Sequence, residues 1–192
     1  MKKLTIFAVF AAAAASLSAA TIAEWDLSKG LKSADGKFEL KMRNPKFVQQ
    51  TAEGMVFSAP GKDIDAGLAT VKRYSELTPA GAFELEMTFK ADFSKFSPNT
   101  KRKEAVIFDS KYYFNTKPGS KKAMNSGFMV RLRFGKNSMQ PGMFIGYGDH
   151  TKQVAGKWFQ ASSGFHTLRV SYDPSGFVSF QWDDRPKQTV EF

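Results

Sequence analysis

The chain has no cysteine and only two histidines, His150 and His166. That removes disulfides, thiol nucleophiles and thiolate metal ligands, and two isolated imidazoles do not make a zinc set. No Gly-x-Ser-x-Gly elbow occurs. After residue 20 no segment repeats apolar residues at helical spacing, and no apolar run approaches the ~20 residues that span a bilayer. These absences speak against a disulfide-stapled module, a thiol or serine hydrolase with a nucleophile elbow, a helical bundle and a helical membrane protein.

What is present begins with a leader. Lys2 and Lys3 precede an uncharged apolar run, Leu4 to Leu17, and Ser18-Ala19-Ala20 offers small residues for cleavage. That order reads as a signal peptide over residues 1–20, with a single mature domain over 21–192. The expected location is secreted or periplasmic. No cysteine follows the apolar run, so a lipid anchor has no attachment point. Lys and Arg number 28 against 18 Asp and Glu, a net charge of +10. In an exported chain this excess points to an anionic polysaccharide or another envelope component rather than nucleic acid, or it serves solubility alone. Nineteen Phe residues supply bulk for a core that must hold without disulfides.

Alternation with period two dominates the mature chain. Phe83, Leu85, Met87 and Phe89 alternate with Glu84, Glu86, Thr88 and Lys90. The same pattern runs through Phe128–Phe134, Leu168–Tyr172 and Val178–Trp182. Each segment has one apolar face and one wet face, as antiparallel strands do. Weaker strand signals fall at Ile22–Leu27, Lys37–Met42, Gly54–Ser58, Ala105–Asp109 and Met143–Tyr147. Turn signals separate them, among them Asp35-Gly36, Pro141-Gly142 and Asp173-Pro174-Ser175-Gly176. Many short strands with regular turns predict an all-β fold of two packed antiparallel sheets.

Three segments together resemble laminin-G-like domains of the concanavalin A-like lectin/glucanase superfamily. They are Ala23-Glu24-Trp25-Asp26-Leu27, the strand Gly81 to Phe89, and the hairpin Gly164 to Asp173 continued by Ser175 to Asp184. The hairpin departs from the family pattern at Phe165, where Trp is usual, and at Asp183-Asp184, which replaces an Asp-Gly turn. The resemblance implies a two-sheet antiparallel jelly-roll sandwich. It also implies two function classes: a non-catalytic lectin-like module or a glycan hydrolase.

The hydrolase requires paired carboxylates at defined separation. Glu84 and Glu86 share a strand face, but the laminarinase-type Glu-x-Asp-x-x-Glu pattern is absent. The plainer expectation is that they pair with Arg131, Arg133 or Arg169 across strands. His166 reads as a packed or rim histidine. Calcium, which lectin-like sandwiches hold with loop carboxylates, would draw on Asp63, Asp65, Asp149, Asp173, Asp183 and Asp184. No regular ligand spacing joins these six, and the expectation is no cofactor.

Sugar-binding surfaces need exposed rings beside polar groups. Tyr112 and Tyr113, followed by Lys117 and Lys121, form one candidate ligand site in a long loop, and Trp158 forms another. Trp25 and Trp182 read as core. The sequence therefore predicts a non-catalytic exported module that binds carbohydrate or another surface component. A divergent glycan hydrolase and a structural or protein-interaction module of the envelope are the alternatives. After Asp183-Asp184 only a short closing strand remains, which is expected to fold back on Phe177–Trp182. That would leave Ile22–Leu27 as an open edge through which two copies could pair.

Overall fold

A computed structural model describes residues 4–7, 21–58, 66–77, 81–92, 104–110, 112–114, 124–148 and 150–192; for 4–7, 112–114 and 124–126 it describes the backbone alone. Apart from two short 3-10 turns, Pro45–Phe47 and Ser75–Leu77, the regular structure of the described residues is all antiparallel strand. A seven-stranded sheet has the order β15 (Gln188–Glu191), β14 (Phe177–Trp182), β13 (His166–Asp173), β6 (Phe83–Ala91), β1 (Leu4–Phe7), β4 (Gly54–Phe57) and β3 (Val48–Thr51). A second sheet has the order β11 (Thr151–Ala155), β10 (Ser138–Gly148), β9 (Met124–Gly135) and β7 (Glu104–Asp109). Beside it, β12 (Phe159–Gln160) pairs with β10, and β8 (Tyr112–Phe114) pairs with β9. A small ladder joins β2 (Leu40–Arg43) to β5 (Gly67–Thr70).

The alternating residues build the main core. Leu85, Met87 and Phe89 of β6, Leu168 and Val170 of β13, and Val178, Phe180 and Trp182 of β14 form one buried cluster with the second sheet. That sheet contributes Phe128, Val130, Leu132 and Phe134 of β9, and Met139, Met143 and Ile145 of β10. Trp182 is 2% exposed and stacks on Phe159 at 4.6 Å, as its phase with Val178 and Phe180 predicts. The two-sheet antiparallel architecture expected from the alternation is thus present.

The closing strand also behaves as expected. β15 pairs back along β14 through the turn at Asp183-Asp184-Arg185. Gly176, at φ 117°, closes the β13–β14 hairpin, with the Ser175 N–H donated to Asp173 Oδ1 at 2.8 Å.

Three expectations fail. Ile22–Leu27 is not a strand. Asp26 ends the extended run by taking the Ser28 N–H and hydroxyl on Oδ1, and Lys29 N–H closes onto Asp26 O at 2.9 Å. The open edge through which copies would pair is therefore missing there. Trp25 lies instead in a second buried cluster with Leu27, Phe38, Val48, Met55 and Phe57.

The second failure is Pro141-Gly142, which is no turn but lies inside β10. Pro141 sits opposite Leu132 and accepts the Gly156 N–H at 3.0 Å. In an antiparallel strand the N and O of one residue face the same neighbour. The missing proline donor thus faces the break between β11 and β12, where no ladder bond is needed.

The third fails only in part: of the three arginines offered as partners of Glu84 and Glu86, Arg131 and Arg133 belong to the second sheet, while Arg169 does reach Glu86. At the other end of the chain, β1 lies between β4 and β6, within the segment expected from the sequence to be a leader.

Candidate functional site

The two sheets turn very different outer faces away from the core. On the seven-stranded sheet, β6 and β13 place Glu84 opposite Ser171, Glu86 opposite Arg169 and Thr88 opposite Thr167. Ser171 Oγ donates to Glu84 at 3.1 Å, the Thr hydroxyls meet at 2.8 Å, and Arg169 Nε donates to Glu86 Oε2. This face is a ladder of polar groups bonded to one another across the strands. The predicted pairing with Arg169 holds for Glu86, while Glu84 takes Ser171.

The outer face of the second sheet is built otherwise. Because Phe128, Val130, Leu132 and Phe134 point inward, Met129, Arg131 and Arg133 point outward. Register places Glu104 and Gln140 on either side of Arg133, and Val106 and Gly142 on either side of Arg131; Phe144 stands opposite Met129.

Arg131 is an arginine on an outer sheet face that is nonetheless 9% exposed. Gly142 stands opposite, and a Cβ there would lie 3.3 Å from Val154 O and in ordinary contact with the arginine, 3.5 Å from Nε and 3.6 Å from Cγ. The guanidinium lies over the Phe144 ring, 4.3 Å from its centroid, a cation–π contact. Its Nη1 donates to Glu104 Oε2 at 2.9 Å, and Arg133 Nε donates to Glu104 Oε1 at 3.0 Å. One carboxylate thus bridges two guanidiniums. Arg131 Nε is buried with no hydrogen-bond partner. A buried unpaired donor costs about 1–3 kcal/mol.

Trp158 closes this face at one end. Its ring edge sits over Gly135, where a Cβ would stand 3.3 Å from Trp158 Cζ3 and 2.4 Å from Ser138 Oγ. Gly135 follows Arg133 in outward phase, so the indole belongs to the same face as the arginines. The segment is tied down on both sides: Gln140 Nε2 donates to Gly156 O at 2.9 Å, and the Lys157 N–H donates to Gln188 Oε1 at 2.8 Å. Phe159 is buried just after it. Trp158 itself is 49% exposed. From Ser138 to Phe144 the face covers roughly 20 Å of strand, long enough for an extended ligand.

Of the sequence-derived candidates, Trp158 is an exposed ring on this face. Tyr112 and Tyr113 lie on β8, paired with Ser126 and Asn125 of β9; their side chains fall outside the described residues. Lys117 and Lys121 also lie outside them, as do Asp63, Asp65 and Asp149. Asp173 serves its turn, and the hydrogen bonds to Ser175 hold its carboxyl below the ordinary value. Among the described residues no group of three or more His, Cys, Asp or Glu is placed to hold a metal ion.

A second arrangement went unseen in the sequence. His166 Nδ1 lies 2.9 Å from Asp183 Oδ2, and Nε2 lies 3.1 Å from both N and Oγ of Ser162. Asp183 Oδ1 also takes the Thr167 N–H at 2.8 Å. The atoms follow the order of a Ser-His-Asp triad. However, the Ser162 amide can only donate, so it uses the Nε2 lone pair that would take the hydroxyl proton. Ser162 Oγ is itself bonded by the Gly164 N–H at 3.2 Å. The set clips the loop before β13 to the turn after β14, and only folding brings Asp183 to His166.

The outward arginines were legible as a wet strand face. Their assembly with Glu104, Phe144 and Trp158 was not, because Pro141-Gly142 read as a turn and hid the central strand. No family model, curated protein or solved structure matches the chain.

Proposed function

We propose that the chain is an exported, non-catalytic carbohydrate-binding module of laminin-G-like, concanavalin A-like jelly-roll type. It holds glycan on the outer face of its second sheet. The observation that carries this reading is Trp158: a half-exposed indole seated over Gly135, on the same face as Arg133, Gln140 and the Arg131–Phe144 pair. Rings stack on the apolar faces of sugars, and the guanidinium and amide groups donate to sugar hydroxyls. The absence of catalysis is supported by the fate of Glu84 and Glu86, which engage Ser171 and Arg169 on the opposite face.

A glycan array run beside a reducing-sugar release assay tests the proposal. Binding that Trp158→Ala weakens, with no sugar released, is the expected outcome. Release of reducing sugar would support the hydrolase instead, and silence in both assays would support an envelope-structural role. Export is tested separately: the secreted or periplasmic protein should begin near Thr21, and a mature N-terminus at Met1 would overturn it.

A further inference from the structure

The centre of the same face carries more than a platform for neutral sugar, and we propose that its ligand is a carboxylated glycan, a polyuronate. This rests on the reading of the face as a glycan site and adds the class of ligand. Two guanidiniums, Arg131 and Arg133, share the single carboxylate of Glu104 among the described residues. The pair and its partner therefore keep one positive charge. A second carboxylate on the face, Asp109, stands opposite Met129, beyond Arg131 and away from Trp158. The surplus is thus local to the Arg131–Arg133 end, beside the exposed indole.

Glu104 shows what the site accepts. Its two oxygens are divided between Nη1 of one guanidinium and Nε of the other, so a planar carboxylate already sits between them. Guanidinium forks match the spacing of carboxylate oxygens and form charge-assisted bonds with them. Arg131 cannot swing away to follow a ligand, since it is held over Phe144 and against Gly142. Arg133 is the more exposed of the two, with 42% of its side chain accessible against 11% for Arg131. The ligand carboxylate is therefore taken chiefly by Arg133, with its sugar rings running toward Trp158. The net positive charge, +10 for the full chain and less only by Lys2 and Lys3 once the expected leader is removed, favours approach of such a polymer and makes binding salt-dependent.

The test compares polygalacturonate with the same polymer after its carboxyl groups are reduced to alcohols, with dextran sulfate as a third probe. Titrations at 0.15 M salt use wild type, Arg133→Gln, Glu104→Gln and Trp158→Ala. Wild type should bind polygalacturonate at least tenfold more tightly than the reduced polymer. Arg133→Gln should abolish that preference, lowering affinity for polygalacturonate at least tenfold and for the reduced polymer only a few-fold. Glu104→Gln should raise polygalacturonate affinity several-fold, because the competing internal carboxylate is gone. Trp158→Ala should weaken both polymers alike.

Equal binding of both polymers by wild type would overturn the carboxylate inference and leave the glycan site standing. Binding of neither would overturn both. A preference that survives Arg133→Gln would assign it to the general charge of the chain, and tighter binding of dextran sulfate than of polygalacturonate would show that the site is not built for carboxylate. Either result would defeat the inference. Thermal melts of the variants separate lost binding from lost folding, and Glu104→Gln, predicted to gain affinity, cannot succeed by unfolding.

Discussion

The two outer faces of the sandwich carry similar residue types and use them in opposite ways. Across β6 and β13, polar side chains that stand opposite one another are bonded to one another, so Glu84 takes Ser171, Glu86 finds Arg169 and Thr88 finds Thr167. Across β7, β9 and β10, glycines interrupt the rows, an arginine lies flat and buried, and an indole stays in water. A sheet face that serves only solubility needs short, mutually satisfied groups. The face with the exposed ring and the glycines is the one on which the proposed ligand is placed.

The sharpest contrast is between two tryptophans. Trp182→Ala removes a fully buried ring stacked on Phe159 and should cost about 3–5 kcal/mol of stability, read from denaturant unfolding. Trp158→Ala should cost about 0.5 kcal/mol or less by the same measurement. It should instead lower glycan affinity by about 1–2 kcal/mol, roughly five- to thirty-fold, in calorimetric titration. A large stability loss at Trp158 would make its ring structural and erase the difference between the faces.

On the closed face, Glu86→Gln breaks the pair with Arg169, whose side chain is 29% exposed against 14% for Glu86. The expected loss is at most about 1 kcal/mol, with glycan affinity unchanged. A fall in affinity would move the ligand to the other sheet and revive the hydrolase reading.

The smallest effect concerns acid. Asp173 is held below the usual carboxylate range by the Ser175 amide and hydroxyl. A carboxyl depressed in the folded state adds stability above its unfolded value, and that stability is lost as pH falls through the folded value. Asp173→Asn should therefore flatten the decline in melting temperature below pH 4 slightly, without altering glycan binding at neutral pH. An unchanged acid limb would mean that the turn does not feel the charge.

Sequence reading recovered one half of the molecule far better than the other. The strands β6, β9, β13 and β14 were visible because strict alternation persists over several residues in each, and each contributes to the main core. The N-terminal region lacks that signal. Trp25 is fully covered there without any strand, held by Phe38 and the β3–β4 hairpin side chains Val48, Met55 and Phe57. Its burial depends on where the chain turns at Asp26, and one Asx-type turn was enough to defeat a strand assignment. β10 was half missed for a related reason: Pro141 is admissible in a central strand only because a neighbouring strand breaks beside it.

Phase along one strand is a local property, so alternation sufficed to say that Arg131 and Arg133 face away from the core, that Trp182 faces into it, and that two antiparallel sheets must pack. Register between strands distant in sequence is not local. The meeting of Glu104 with Arg131 and Arg133, the laying of Arg131 over Phe144, and the seating of Trp158 on Gly135 all depend on which residue stands opposite which. A slip of one residue would turn each of these side chains to the other face. Packing of the core across both sheets sets that register, and so the proposed ligand face exists only once the sandwich has closed.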